Sequence, residues 1–270
     1  MLQATFSVVL KYDPFFNKKT NFQFFIMINK TTICFDFGNT RCKCAVFNQD
    51  IFLQEIILPN DDERTIKTIL DEYKPTHSIL SSVIEHNPVI EKILTKRTVF
   101  HLLNHNTKLP ITTPVGKPET IGSDRLALAV AAITLFPQQH NLTIGLGTCI
   151  TYNFINKYHA FIGGSISLGM EMRFKALHTL TAKLPYVKVD ENFPLIGYDT
   201  KTNILSGVWW GMAKEIDGII QAYHHKYDNL NVLLSGGDGV LLAPHLESKI
   251  FADPHLIYKG LYAISEYNNR

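Results

Sequence analysis

Long hydrophobic runs are missing from this chain. No stretch of about 18 consecutive apolar residues occurs, so no membrane-spanning helix is expected. Cysteine is scarce: Cys34, Cys42, Cys44 and Cys149 are the only four. None forms a CxxC pair or joins a histidine at zinc spacing. Cys42 and Cys44 leave one strand on the same side, a poor geometry for a bridge, and all four read as small buried hydrophobes in a reducing cytoplasm. Charge of one sign is also lacking, with 26 Lys and Arg against 24 Asp and Glu. Lys18-Lys19 and Lys96-Arg97 are too short to form a basic face, which argues against a nucleic-acid partner. None of the histidines has a triad or metal partner at convincing spacing, and His77, His178 and His224 read as non-catalytic. The Phe-rich start, residues 1–26, lacks the basic head, apolar run and cleavage site of a signal peptide. It reads as an extension, with Met27 as the expected true start.

Hydrophobic residues make up 46% of the 270 residues, enough for a substantial core in two domains or one large one. Strands are expected at 31–37, 42–48, 51–58, 77–83 and 98–103, with helices near 61–73 and 87–96. A proline-marked loop at 110–118 leads into an Ala-rich helix, 123–136, that Pro137 ends. The second half begins again in the same way. "LTIGLGTCITYNFI" and "YHAFIGGSI" give three strands around a Gly-Thr turn, and helices follow at 168–179 and 202–224. "NVLLSGGDG" is a buried strand entering a glycine turn and a helix, and a last helix spans 258–267. "DFGNT" at 36–40 and "GLGTC" at 145–149 hold matching places, so the chain reads as two like α/β domains, 27–140 and 141–270, with a cleft between them.

Chemistry gathers at the turns. In Asp36-Phe37-Gly38-Asn39-Thr40 the Gly and Asn favour a tight turn whose N–H groups face one anion. Thr40 and Lys43 add a hydroxyl and an ammonium, and Asp36 at the strand end suits Mg²⁺, directly or through water. The same residues also fit an ordinary Asn-containing hairpin. Gly122-Ser123-Asp124-Arg125 opens the Ala-rich helix. Arg125 opposes the helix dipole there, which invites another reason, such as a carboxylate ligand; a surface ion pair is the plainer alternative. Asp124 beside it is placed to take a hydroxyl proton. Gly145-Leu146-Gly147-Thr148 and Ser235-Gly236-Gly237-Asp238-Gly239 are further glycine turns, and Thr181 and Lys183 follow the helix that begins after Gly169.

Taken together, "DFGNTRCK", "GSDRLALAVAA", "GTCITYNFI", "GGSISLGM", "TAKLP" and "SGG" resemble type III pantothenate kinase from about residue 30 to 265. The resemblance implies the actin-like superfold, with two ribonuclease-H-like domains and an interdomain cleft. It implies transfer of phosphate from ATP to pantothenate, giving 4′-phosphopantothenate, the first step of coenzyme A synthesis. Asp36, Phe37, Gly38, Asn39, Thr40, Arg41, Cys42 and Lys43, with Thr148, would take ATP, and Asp36 would lie near Mg²⁺. Gly122, Ser123, Asp124 and Arg125 would bind pantothenate, with Asp124 as the base. Thr181 would reach the substrate of a neighbouring subunit, so a cytoplasmic homodimer is expected. Two departures stand out. Gly145 occupies the place of an Asp that binds the activating K⁺ or NH₄⁺, and Val115 that of a substrate-contacting Tyr. A kinase of the same superfold acting on a sugar or small acid, which the GSDR motif disfavours, and a regulator that binds nucleotide without catalysis are the alternatives.

Overall fold

The structure is a computed structural model that describes residues 30–269. The expectations for residues 1–26, for Met27 and for Lys18-Lys19 lie outside the described residues. The chain opens with three strands, β1 (Thr31–Phe37), β2 (Cys42–Asn48) and β3 (Ile51–Ile57). Then come α1 (Glu63–Tyr73), β4 (His77–Ser82), α2 (Val89–Arg97), β5 (Val99–Leu102) and α3 (Ser123–Leu135). The second half repeats the order: β6 (His140–Leu146), β7 (Cys149–Ile155), β8 (Phe161–Leu168), α4 (Met170–Thr179), α5 (Thr200–Lys226), β9 (Leu230–Ser235), α6 (Gly239–Leu242), β10 (Phe251–Ala252) and α7 (Leu256–Asn268).

Each half builds a five-stranded sheet, ordered β3-β2-β1-β4-β5 and β8-β7-β6-β9-β10. In both, the first three strands are antiparallel and the last two run parallel to the first. This duplicated order bears out two ribonuclease-H-like halves of an actin-like fold.

Alternation along the strands explains the layers. Ile33, Phe35 and Phe37 of β1, with Cys44 and Val46 of β2, pack under α1 and α2. Cys34, Ala45 and Phe47 take the opposite face and pack on α3 and α7. Leu142, Ile144, Ile150, Tyr152 and Phe154 of the second sheet meet α4 and α5. The other face of that sheet closes on α3, so the Ala-rich helix is apolar nearly all round because it lies between both sheets. Gly260 of α7 lies where a Cβ would come within 1.9 Å of the Ala127 carbonyl, so only glycine allows this helix crossing. Asp62 caps α1 by accepting from Thr65 N at 2.7 Å, and a capping box of Asp199 and Thr202 starts α5.

Candidate active site

The site starts from strand register. Asp36 pairs with Lys43 across β1–β2 and with Ser81 across β1–β4, which puts the three side chains in one row on the face toward α3 and α7. The row continues through a buried hydrogen bond of 2.9 Å between Ser81 Oγ and Ser123 Oγ. Ser123 Oγ also donates to Ser82 O at 3.2 Å. The start of α3 is thereby fixed beside Asp36.

At that helix start a Cβ on Gly122 would stand 2.4 Å from Asp124 Oδ1. Gly122 has ordinary extended dihedrals, φ −57° and ψ 139°, so what the glycine provides there is space beside the Asp124 carboxylate. Its bare backbone lets the Asp124 carboxylate lie back over the first turn. Arg125 turns away from Asp124 toward the second sheet. Its Nε donates to Asn153 Oδ1 at 2.5 Å, Nη2 donates to Tyr152 O at 3.3 Å, and the guanidinium lies 5.6 Å from the Phe161 ring centre. The cation in a first turn therefore bridges α3 to β7 and β8, and the surface-pair alternative does not hold.

The two glycine turns meet across the cleft. Thr40 Oγ1 and Thr148 Oγ1 share a hydrogen bond of 2.6 Å. The first turn closes through Gly38 N donating to Arg41 O at 3.1 Å, leaving Asn39, Thr40 and Arg41 exposed. The second is pressed from two sides. A Cβ on Gly169 would fall 2.2 Å from Gly147 O, and one on Gly236, at φ +101°, 2.1 Å from Leu146 O. The β9 turn brings Asp238 to the same region, where burial and Glu171 raise its carboxyl above the usual range and Arg41 pulls it back.

Phe37 and Cys42 are opposite partners in the register, and their side chains turn into the α1/α2 core. What they offer at the turn is main chain. Cys42 and Cys149 are half-buried, unlike the fully buried Cys34 and Cys44, and all four are free. Thr181 lies elsewhere, exposed and bonded to Leu177 O at 2.6 Å. It lines a groove of about 760 Å³ between α4 and α5, with Leu180, Leu184, Asn203 and Ile204, that none of the turn residues reaches. Ser81, Asn153, Glu55 and Tyr258 were not evident from the sequence. Asn153 is fully buried and orients Arg125, and Glu55 accepts from Lys43.

Burial, then the Asp124 charge, pushes the Asp36 carboxyl up to about 7, Glu55 adds to the shift, and Lys43 opposes it. Burial also raises Asp124, against hydrogen bonding and charge from Arg125. Asp36 nonetheless keeps partial solvent access. Among the described residues no cluster of three or more His, Cys, Asp or Glu forms a metal cage. Two carboxylates with raised pKa at an open cleft instead fit Mg²⁺, which is held by one or two carboxylates together with water and phosphate oxygens. A monovalent cation held by a carboxylate does not fit at residue 145. A Cβ there would stand 2.7 Å from Thr151 Oγ1 and 3.1 Å from a Leu128 methyl, and glycine itself carries no carboxylate.

The family profile of type III pantothenate kinase matches residues 32–222. A type III pantothenate kinase of Bacteroides fragilis is 40% identical over 235 residues, covering 87% of this chain and 97% of that protein. One from Cytophaga hutchinsonii is 47% identical over 195 residues, covering 72% and 82%. A solved structure from Campylobacter jejuni, described as a conserved Baf family transcriptional activator, superposes with a TM-score of 0.56 at 20% identity, covering 88% of this chain and 98% of that one, and shares the fold. With the profile running through both halves and their turns, the chain belongs to the type III pantothenate kinase family.

Proposed function

We propose that the protein transfers the γ-phosphoryl group of ATP to the primary hydroxyl of pantothenate, giving ADP and 4′-phosphopantothenate. The observation that carries this reading is the match to the family over residues 32–222, which includes both facing turns and the start of α3.

In this reading the turn at 38–41, Thr148 across from it and Lys43 hold the phosphates. Asp36 holds Mg²⁺, directly or through water, with Asp124 near by. The metal, when bound, supplies charge neutralisation on the phosphates. Asp124 accepts the hydroxyl proton as the oxygen attacks the γ-phosphorus and the bond to the ADP oxygen breaks. Phosphoryl transfer has a loose transition state, so positioning and charge neutralisation dominate and a modest base suffices. The half-buried Asp124 is a better base than a fully exposed carboxylate because its proton affinity is raised. Arg125 offers the pantothenate carboxylate a guanidinium that Asn153 has already oriented. Val115 is half-buried against the α3 layer and gives the pocket an apolar wall where the family has a Tyr.

Thr181 then serves the neighbouring subunit's substrate in a homodimer. Support comes from the apolar lining of the groove it shares with Leu177, Leu180, Leu184 and Ile204, in which Leu180 is 82% accessible. Domains at 27–140 and 141–270, with α7 packing back on α3 and β4, and a cytoplasmic setting for the four free thiols complete the reading. The test is ADP release by the purified protein with MgATP. Release that depends on pantothenate supports the function. ATP binding without pantothenate-dependent release would point to another acceptor or to a regulator.

A further inference from the structure

Lys43 has two carboxylates within reach. Asp36 is its direct cross-strand partner, and Glu55 lies on the same face one pair further along β2–β3, opposite Ala45. Directly opposed opposite charges attract on a sheet surface. Lys43 nevertheless makes no ion pair with Asp36; its Nζ lies 3.4 Å from both carboxylate oxygens of Glu55. Glu55 is itself held, because the hydroxyl of Tyr258, a fully buried residue of α7, donates to Glu55 Oε2 at 2.9 Å. Among the described residues, the only other ionisable neighbour within ion-pair range of Glu55 is His255, at 3.9 Å. The pair is about one-fifth exposed, with side chains 23% and 22% accessible.

We propose that Glu55 is a positioning residue that draws the Lys43 ammonium off Asp36, and that Tyr258 anchors it in doing so. This rests on the reading of Asp36 and Lys43 as the metal and phosphate ligands. If Lys43 closed on Asp36, one ion pair would consume both groups that MgATP needs. Glu55 keeps the ammonium parked to one side, so the carboxylate stays open and the cation can swing to a phosphate. The C-terminal helix α7 thereby reaches the phosphate site through a single hydroxyl.

The experiment is calorimetric binding of adenosine 5′-(β,γ-imido)triphosphate with Mg²⁺ to the full chain, which needs no turnover. Glu55→Gln keeps the shape and an acceptor for Tyr258 but releases Lys43. It should weaken binding about tenfold, the size of a coupling of roughly 1.4 kcal/mol. Tyr258→Phe should weaken it in the same direction by less. In a Lys43→Ala background Glu55→Gln should have no further effect, whereas a purely structural role would give the same loss in both backgrounds. Equal losses in the two backgrounds, or unchanged or tighter binding in Glu55→Gln alone, would overturn the proposal. If Lys43→Ala itself leaves binding of the analogue unchanged, it is the phosphate role of Lys43 that fails, which separates the two claims.

Discussion

Gly122→Ala should disable the protein without unfolding it. The backbone at Gly122, φ −57° and ψ 139°, is open to alanine, so no dihedral strain arises. The loss of a glycine N-cap costs helix α3 on the order of 1 kcal/mol. The larger effect is local. The new Cβ would stand 2.4 Å from Asp124 Oδ1, where an ordinary contact begins at 3.4 Å, so the carboxylate must retreat by the difference, 1.0 Å. A misplacement of that size at a reacting group costs about 10²-fold in rate. Steady-state turnover with saturating MgATP and varied pantothenate reads the loss, and a thermal melt checks the fold. Gly116→Ala, with nothing within 4 Å of its Cβ, is the control and should be silent. A Gly122→Ala enzyme with turnover within about threefold of wild type would refute the placement of Asp124 as the base, since that role is worth at least about 10²-fold.

Further expectations follow from the same structure. Burial raises the Asp36 carboxyl from 3.8 to about 7, so between those pH values the folded protein binds more protons than the unfolded chain and stability falls as pH rises through 7. Asp36→Asn should therefore stabilise the ligand-free protein at pH 8 by at most about 4 kcal/mol in denaturant unfolding, the gain should fade toward pH 4, and turnover should be lost. A destabilised Asp36→Asn at pH 8 would contradict this. Asp217 is buried in α5 and accepts from Glu247 N and Ser248 N at 3.0 Å. Those hydrogen bonds hold its carboxyl below the usual range against the opposing effect of burial. Asp217→Asn should cost about 1–3 kcal/mol at neutral pH, and the difference from wild type should narrow as acid protonates the native carboxylate; a pH-independent difference would refute the charge argument. Turnover should be the same in K⁺ and Na⁺ buffers, because residue 145 is a glycine; strong activation by K⁺ would show that neutral oxygens suffice for that cation.

The expected strands of the first half lie within a residue of those observed, because alternating apolar residues bounded by glycine turns leave little freedom for a half-buried strand. The same alternation already implied that Phe37 and Cys42 point away from Asp36, since only every second side chain shares its face. Asp36 itself announced a cleft: a carboxylate between two core phenylalanines needs solvent or a cation, and it has partial access to solvent. Other features are long-range and left no local trace. Tyr258 meets Glu55 across 203 positions of sequence, and Asn153 meets Arg125 across 28. Strand β10 has two residues, Phe251 and Ala252, too few for any periodicity to show. The ion-pair reading of Arg125 failed for a related reason: its partner is a neutral amide on the other sheet, which charge patterning along one helix does not reveal.

The most direct test of the central claim is product formation by wild type and Asp124→Asn, measured side by side by mass spectrometry with MgATP and pantothenate. The account predicts 4′-phosphopantothenate from the wild type. It predicts retained nucleotide binding and a rate lower by about 10²-fold or more in Asp124→Asn. Equal rates in the two proteins, or no phosphorylated pantothenate from a wild type that binds ATP, would contradict it.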